Sequence, residues 1–238
     1  MKHCFLRKFD SNSQTLFATG STAVPLRETQ QNFDLLRDAA LRGWKIFPVL
    51  TLSRHAMGAP AMLAQATNDL EQLETWASQY PGCRWALATG CDSGVLAIEM
   101  DGRIGTASFS WLLFESQEVR MDNSPTLISQ TENGGEDTVC AYYRWPAGMP
   151  RHLLRGVIAP GMTLRGEGDY VIIPPSVRRD GIRYLYLQPD IEVALVPDFV
   201  IELACESFIA DAVRAREKLP PQRAVQESPG SFESSSAG

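Results

Sequence analysis

The chain has 238 residues, 44% of them hydrophobic and 21% charged, with a net charge of -6 at neutral pH. That suffices for one sizeable domain or two small ones of ordinary soluble composition. It argues against a surface coated in positive potential for duplex DNA, though not against a local basic groove. The five cysteines form no C-x-x-C pair and no regular spacing with the three histidines, so a zinc finger or ribbon is not expected. No apolar run has the length of a membrane span and no signal-peptide core opens the chain, which leads to the expectation of a reduced, cytoplasmic protein.

Residues 1–28 mix charge with Ser and Thr without sustained period and read as a loose arm or one short strand. From Glu28 the pattern changes: Phe33, Leu35, Leu36, Ala39, Ala40 and Leu41 fall at helical spacing, and Gly43 supplies the stop. Trp44–Leu50 is a strand candidate with Pro48 near an edge or end, and Ser53–Ala66 reads as a loop. Thr67-Asn68-Asp69 then offers an N-cap for a helix through Leu70, Leu73, Trp76 and Ala77, which Pro81-Gly82 ends. Trp85–Ala88 and Val95–Met100 follow as two apolar strands around the turn residues Thr89–Gly94.

The second of these strands carries the first chemical signal. Alternation places Leu96, Ile98 and Met100 on one side and Val95, Ala97, Glu99 and Asp101 on the other, so two acids point the same way. About 7 Å apart, they repel by roughly 2 kcal/mol at an effective dielectric of about 20. Such a pair is either exposed or neutralised by a cation, and hard oxygen ligands favour Mg²⁺ or Mn²⁺. From the pair alone, a strand running out into solvent with acids at its frayed end is the favoured reading.

Gly102–Gly105 reads as a turn and Ser108–Val119 as a helix with Phe109, Leu112, Leu113 and Ser116 as its inner stripe. Pro125–Thr131 and Val139–Trp145 are strands joined through Asn133-Gly134-Gly135, whose turn chemistry predicts a hairpin. Met162–Arg165, Tyr170–Ile173 and Ile182–Leu187 are three more short strands, and Asp198–Lys218 is a helix with an Asp cap. Beyond Pro220-Pro221 the tail is rich in Ser, Glu, Gln and Pro and is expected to be disordered. Between Arg144 and Arg183 seven arginines stand against three acids and no lysine, a local excess of +4 that leaves -10 for the rest. With Tyr142, Tyr143, Tyr170 and Tyr184 nearby this reads either as a single-strand or primer-template groove or as a solvated face whose arginines pair with acids.

Taken in order, several segments resemble the bifunctional primase-polymerase domain of the archaeo-eukaryotic primase superfamily. They are Ala40 to Pro48, Ala66-Thr67-Asn68-Asp69 with Trp76 and Tyr80-Pro81, Ala88-Thr89-Gly90 with Ser93-Gly94, and Glu99-Met100-Asp101. Asn133-Gly134-Gly135 with Tyr142-Tyr143 follows, and then Arg165 to Ser176 with Gly181 and Tyr184. The resemblance implies a mixed α/β (α+β) fold, a primase-polymerase core with an RNA-recognition-motif-like sheet flanked by helices. The core is expected over residues 29–218, after an arm over 1–28 and before a disordered tail over 219–238.

The resemblance also assigns roles. Glu99 and Asp101 fall on the family's first acidic pair and would hold Mg²⁺ or Mn²⁺. Arg165 would steer the triphosphate or template, and Arg144 belongs to the arginines that would meet nucleotide or nucleic acid. Two positions depart from the pattern. Cys140 stands where the family has a phosphate-contacting histidine, after an apparent insertion of Glu136 to Val139, and Thr163 stands where it has its third metal-binding acid. A lysine usual before Pro60 is also absent, with Gly58 near its place. The implied partners are nucleoside triphosphates, single-stranded or primer-template DNA and a separate helicase or replication protein, with no membrane. Two functions follow: a nucleotidyltransferase of weakened chemistry, or a noncatalytic nucleic-acid- or nucleotide-binding replication module of the same fold.

Overall fold

The computed structural model describes residues 26–49, 59–119 and 126–217; of the expected arm over 1–28, residues 1–25 lie outside them and 26–28 already belong to the first helix, and the expected tail over 219–238 lies outside them. The described chain is α+β. Helix α1 (Leu26–Leu41) leads into β1 (Ile46–Val49), a short helix α2 (Ala59–Leu63) and helix α3 (Leu70–Gln79). Strands β2 (Arg84–Ala88) and β3 (Val95–Asp101), helix α4 (Gly102–Val119) and strands β4 (Ile128–Thr131) and β5 (Thr138–Arg144) make the centre. Then come β6 (Gly156–Ala159), β7 (Met162–Arg165), β8 (Tyr170–Ile173), β9 (Tyr184–Tyr186), β10 (Ala194–Leu195) and helix α5 (Asp198–Glu217).

The strands form two sheets. One has the order β1-β2-β8, and the other has the order β6-β7-β3-β5-β4-β9 with β10 beside β5. In the larger sheet β3 runs antiparallel to both β5 and β7, and β5 antiparallel to β4. Strands β3 and β4 are therefore parallel, with β5 between them and α4 as the crossover, the split βαβ arrangement of ferredoxin-like folds. Such a central strand is buried on both faces along most of its length, which its near-continuous apolar run anticipates.

Local chemistry explains the boundaries. Asp69 caps α3 by accepting from the Glu71 N–H at 3.1 Å, and the helix closes at Tyr80 ahead of Pro81-Gly82. Pro48 sits on β1, an edge strand, where its missing N–H leaves no ladder bond unmade. Helix α4 starts at Gly102, six residues before the periodicity alone indicates, because Gly102 takes φ +56° and turns the chain straight from strand into helix. Its first turn lies against the β6–β7 turn so closely that a Cβ on Gly105 would sit 2.2 Å from the Gly161 carbonyl oxygen. The loop expected over Ser53–Ala66 contains α2, with Pro60 in its first turn as helix starts prefer. Strands β6 and β10 carry no alternation of their own and exist through pairing to β7 and β5.

Two apolar clusters hold the layers together. Leu96, Ile98, Met100, Val139, Met162 and Leu164 pack on one face of the large sheet beneath α4 and α5. On the other face Val95, Ala97, Cys140 and Tyr142 pack against the small sheet, α1 and α3, with the Trp44 and Tyr142 rings 5.2 Å apart. The small sheet covers only part of that face. No helix among the described residues is long and apolar enough to cross a membrane.

Candidate functional site

On the face turned to the small sheet, β3 is buried as far as Ala97 and begins to open at Glu99. In register, Glu99 stands opposite Cys140 on β5 and Thr163 on β7, Cys140 stands opposite Ser129 on β4, and Ser129 opposite Tyr186 on β9. Cross-strand partners share a face, so these five side chains form one row across the sheet. Asp101, two residues on, is on the same face opposite Thr138. Arg165 pairs with Ala97 and reaches along the strand to Glu99, its Nε donating to Glu99 Oε2 at 2.7 Å and its Nη2 to the same oxygen.

The fold thus gathers Glu99, Asp101, Cys140, Thr163 and Arg165 on three adjoining strands. Arg144 stands apart: it pairs with Val95 at the other end of β5, four residues from Cys140 and so about 13 Å away along the strand. Both acids are fixed by their backbone. The Asp101 N–H donates to the Gly161 carbonyl at 2.8 Å and the Gly102 N–H to that of Asp137 at 3.1 Å, so the end of β3 is held rather than frayed.

Charge in the row is balanced locally. Burial works against the Arg165 charge, but the hydrogen bond and charge of Glu99, with Asp169 beyond, raise its pKa above the ordinary value. Burial pushes the Cys140 thiol well up, with the Glu99 charge adding to the effect, so position 140 presents a neutral thiol wherever the protein is folded near neutrality. Tyr142 is likewise buried, its hydroxyl 2.7 Å from Ser129 Oγ, and burial keeps it protonated.

These donors do not fit a pair of divalent ions as they stand. One oxygen of Glu99 is committed to a guanidinium, Thr163 brings a neutral hydroxyl where a third carboxylate would add charge, and the thiol is protonated. Among the described residues no three of His, Cys, Asp and Glu come together as a group able to hold a metal.

Two other arginines of this stretch pair with acids at opposite ends of the sheet. Arg151 bridges Asp92 at 3.3 Å and Glu167 at 2.8 Å, near the start of β3. Arg178 joins Asp137 and Asp180, the latter at 2.8 Å, near the open end. Arg84 was not singled out by the sequence pattern, because it merely heads the apolar run of β2. Among the described residues its Nε is buried without a hydrogen-bond partner, as are the Thr131 and Tyr186 hydroxyls. The only sequence signal was a cation at the start of a strand that is otherwise buried.

The family described as "Bifunctional DNA primase/polymerase, N-terminal" matches residues 36–199, about two thirds of the chain. No curated protein matches it. The match runs from α1 through both sheets to the start of α5, and so includes every residue of the Glu99 row. The chain belongs to the bifunctional DNA primase/polymerase N-terminal family.

Proposed function

We propose that this chain is a noncatalytic member of the primase-polymerase fold that holds a nucleotide or a nucleic-acid strand in the cleft beside Glu99. The observation that carries this reading is the setting of Glu99 itself, flanked by a neutral thiol and a neutral hydroxyl and paired with Arg165. Family membership supplies the ligand classes, nucleotide and nucleic acid. A nucleotidyltransferase of weakened chemistry is the second reading, favoured by the survival of Glu99 and Asp101 on one face with both backbones fixed. In that reading Mg²⁺ or Mn²⁺ would bind at these two acids.

Primer extension separates the two. The full chain, a primed template and all four nucleotides are incubated with Mg²⁺ or Mn²⁺, beside anisotropy titrations of a labelled single strand. Salt-dependent binding without extension supports the binding module. Extension that Asp101→Ala abolishes would establish the transferase instead. Cys140→His with Thr163→Asp is expected to raise metal affinity above the parent, and more than either change alone, because neighbouring ligands are coupled. The four residues before Cys140 do not turn it away, since Cys140 faces Glu99 in register.

A further inference from the structure

Arg165, Arg178 and Arg84 differ in what they touch. Arg165 is engaged by Glu99, and Arg178 by Asp137 and Asp180. Arg84 has no carboxylate partner among the described residues, and its Nε–H is closed off from solvent with no acceptor. An arginine normally avoids that state, because a desolvated guanidinium donor needs an acceptor.

Its place is set by the backbone around it. The next residue, Trp85, is gripped through both its N–H and its C=O by Ser176 Oγ, at 2.7 and 3.1 Å. The Ser176 carbonyl in turn accepts from the Tyr184 N–H at 3.0 Å. This seam joins the small sheet to the large one and brings Arg84 to Tyr184. The guanidiniums of Arg84 and Arg178 act on that phenol, opposing the rise that burial gives its pKa. Tyr184 pairs with Thr131, and alternation puts both on the face of Glu99 and Asp101. Thr131 is wholly buried and its hydroxyl too lacks a partner. Tyr184 thus relates two orphaned polar groups from different strands: it pairs with Thr131 and feels the charge of Arg84.

We propose that Arg84 is the anion-binding group of this cleft and takes the oxygen of a phosphate. The planar fork of a guanidinium matches phosphate oxygens, and the adjacent Tyr184 ring offers a stacking surface for a base. The phosphate belongs either to a nucleotide's triphosphate tail or to the backbone of a single strand. The inference rests on the reading that the cleft binds one of these.

The test uses the full chain in two arms: calorimetric titration with a nucleoside triphosphate and with tripolyphosphate, and anisotropy with a labelled oligothymidine. Arg84→Gln is expected to weaken at least one arm tenfold or more, with Arg84→Lys intermediate and Arg214→Gln, on α5, equal to the parent. Loss in the first arm alone identifies a triphosphate, and loss in the second alone a strand backbone, accompanied by a salt slope smaller by about 0.7. Because its Nε has no partner to lose, Arg84→Gln should melt no lower than the parent, whereas a structural role would lower the midpoint. Parent-like binding by Arg84→Gln in both arms would overturn the inference while leaving the binding module standing. A parent protein that binds neither probe at low salt would overturn both.

Discussion

On one side of β3, Leu96, Ile98 and Met100 are at most 1% exposed beneath α4 and α5. On the other side Val95 and Ala97 are equally buried under the small sheet, yet Glu99 is half-buried and Asp101 exposed. Seven consecutive residues therefore supply one continuous dry face and one face that is dry for half its length and charged for the rest. The first face is governed by packing alone. The second shows that the cover, not the strand, decides where chemistry can sit: the acids begin where the small sheet stops.

The comparison can be broken most forcefully with alkali. If the covered half of the cleft face is as dry as the opposite face, its ionisable groups should resist deprotonation as strongly. Burial raises Cys83 and Tyr143 to about 12 and pushes Cys140, Tyr142 and Tyr186 up as well. The folded state then keeps protons that the unfolded chain releases from about pH 9 for thiols and 10 for phenols. Stability should be level below pH 9 and fall as pH rises through the raised values, by about 1.4 kcal/mol per pH unit for each such group. Urea midpoints across pH 8 to 11 measure this, and Cys140→Ala should make the fall shallower by one group.

A smaller effect sharpens the contrast between the ends of the two faces. Leu164→Ala, wholly buried on the dry face, should cost about 3 kcal/mol. Asp101→Asn, at the open end, should change stability by less than about 0.5 kcal/mol. Equal losses in chemical denaturation would mean that the open end is a structural element. The smallest effect concerns the Glu99 and Arg165 pair, whose side chains are 21% and 35% exposed. In a double-mutant cycle with Glu99→Gln and Arg165→Met, a coupling of about 1 kcal/mol is expected. Either single variant should then be less stable than additivity with the double variant allows.

Much of this was readable before any coordinates. The alternation of β3 already put Glu99 and Asp101 on one face, the Asp69 cap and Gly43 stop marked helices, and the motif order brought Cys140, Thr163 and Arg165 into consideration. What local pattern could not give was the pairing. Trp85–Ala88 and Val95–Met100 look like neighbours across a turn, but β2 joins β1 and β8 while β3 joins β5 and β7, with only a Gly90 to Val95 bridge between them. Strands β6 and β10 were missed for the same reason, being defined by partners distant in sequence. The glycines at the start of α4 read as a turn because their close approach to Gly161 is a tertiary fact. Arginine pairing was also out of reach: Arg151 and Arg178 look alike in the sequence, and neither declares which acids will meet it or that Arg84 will meet none among the described residues.

The grip of Ser176 on Trp85 has a mechanical side. One hydroxyl holds a donor and an acceptor of β2 while the same residue's carbonyl holds β9, so along this edge the two sheets cannot swing apart unless those bonds break together. Along this seam the two sheets then move as one plate, and any relative motion is left to the edges that Ser176 does not hold.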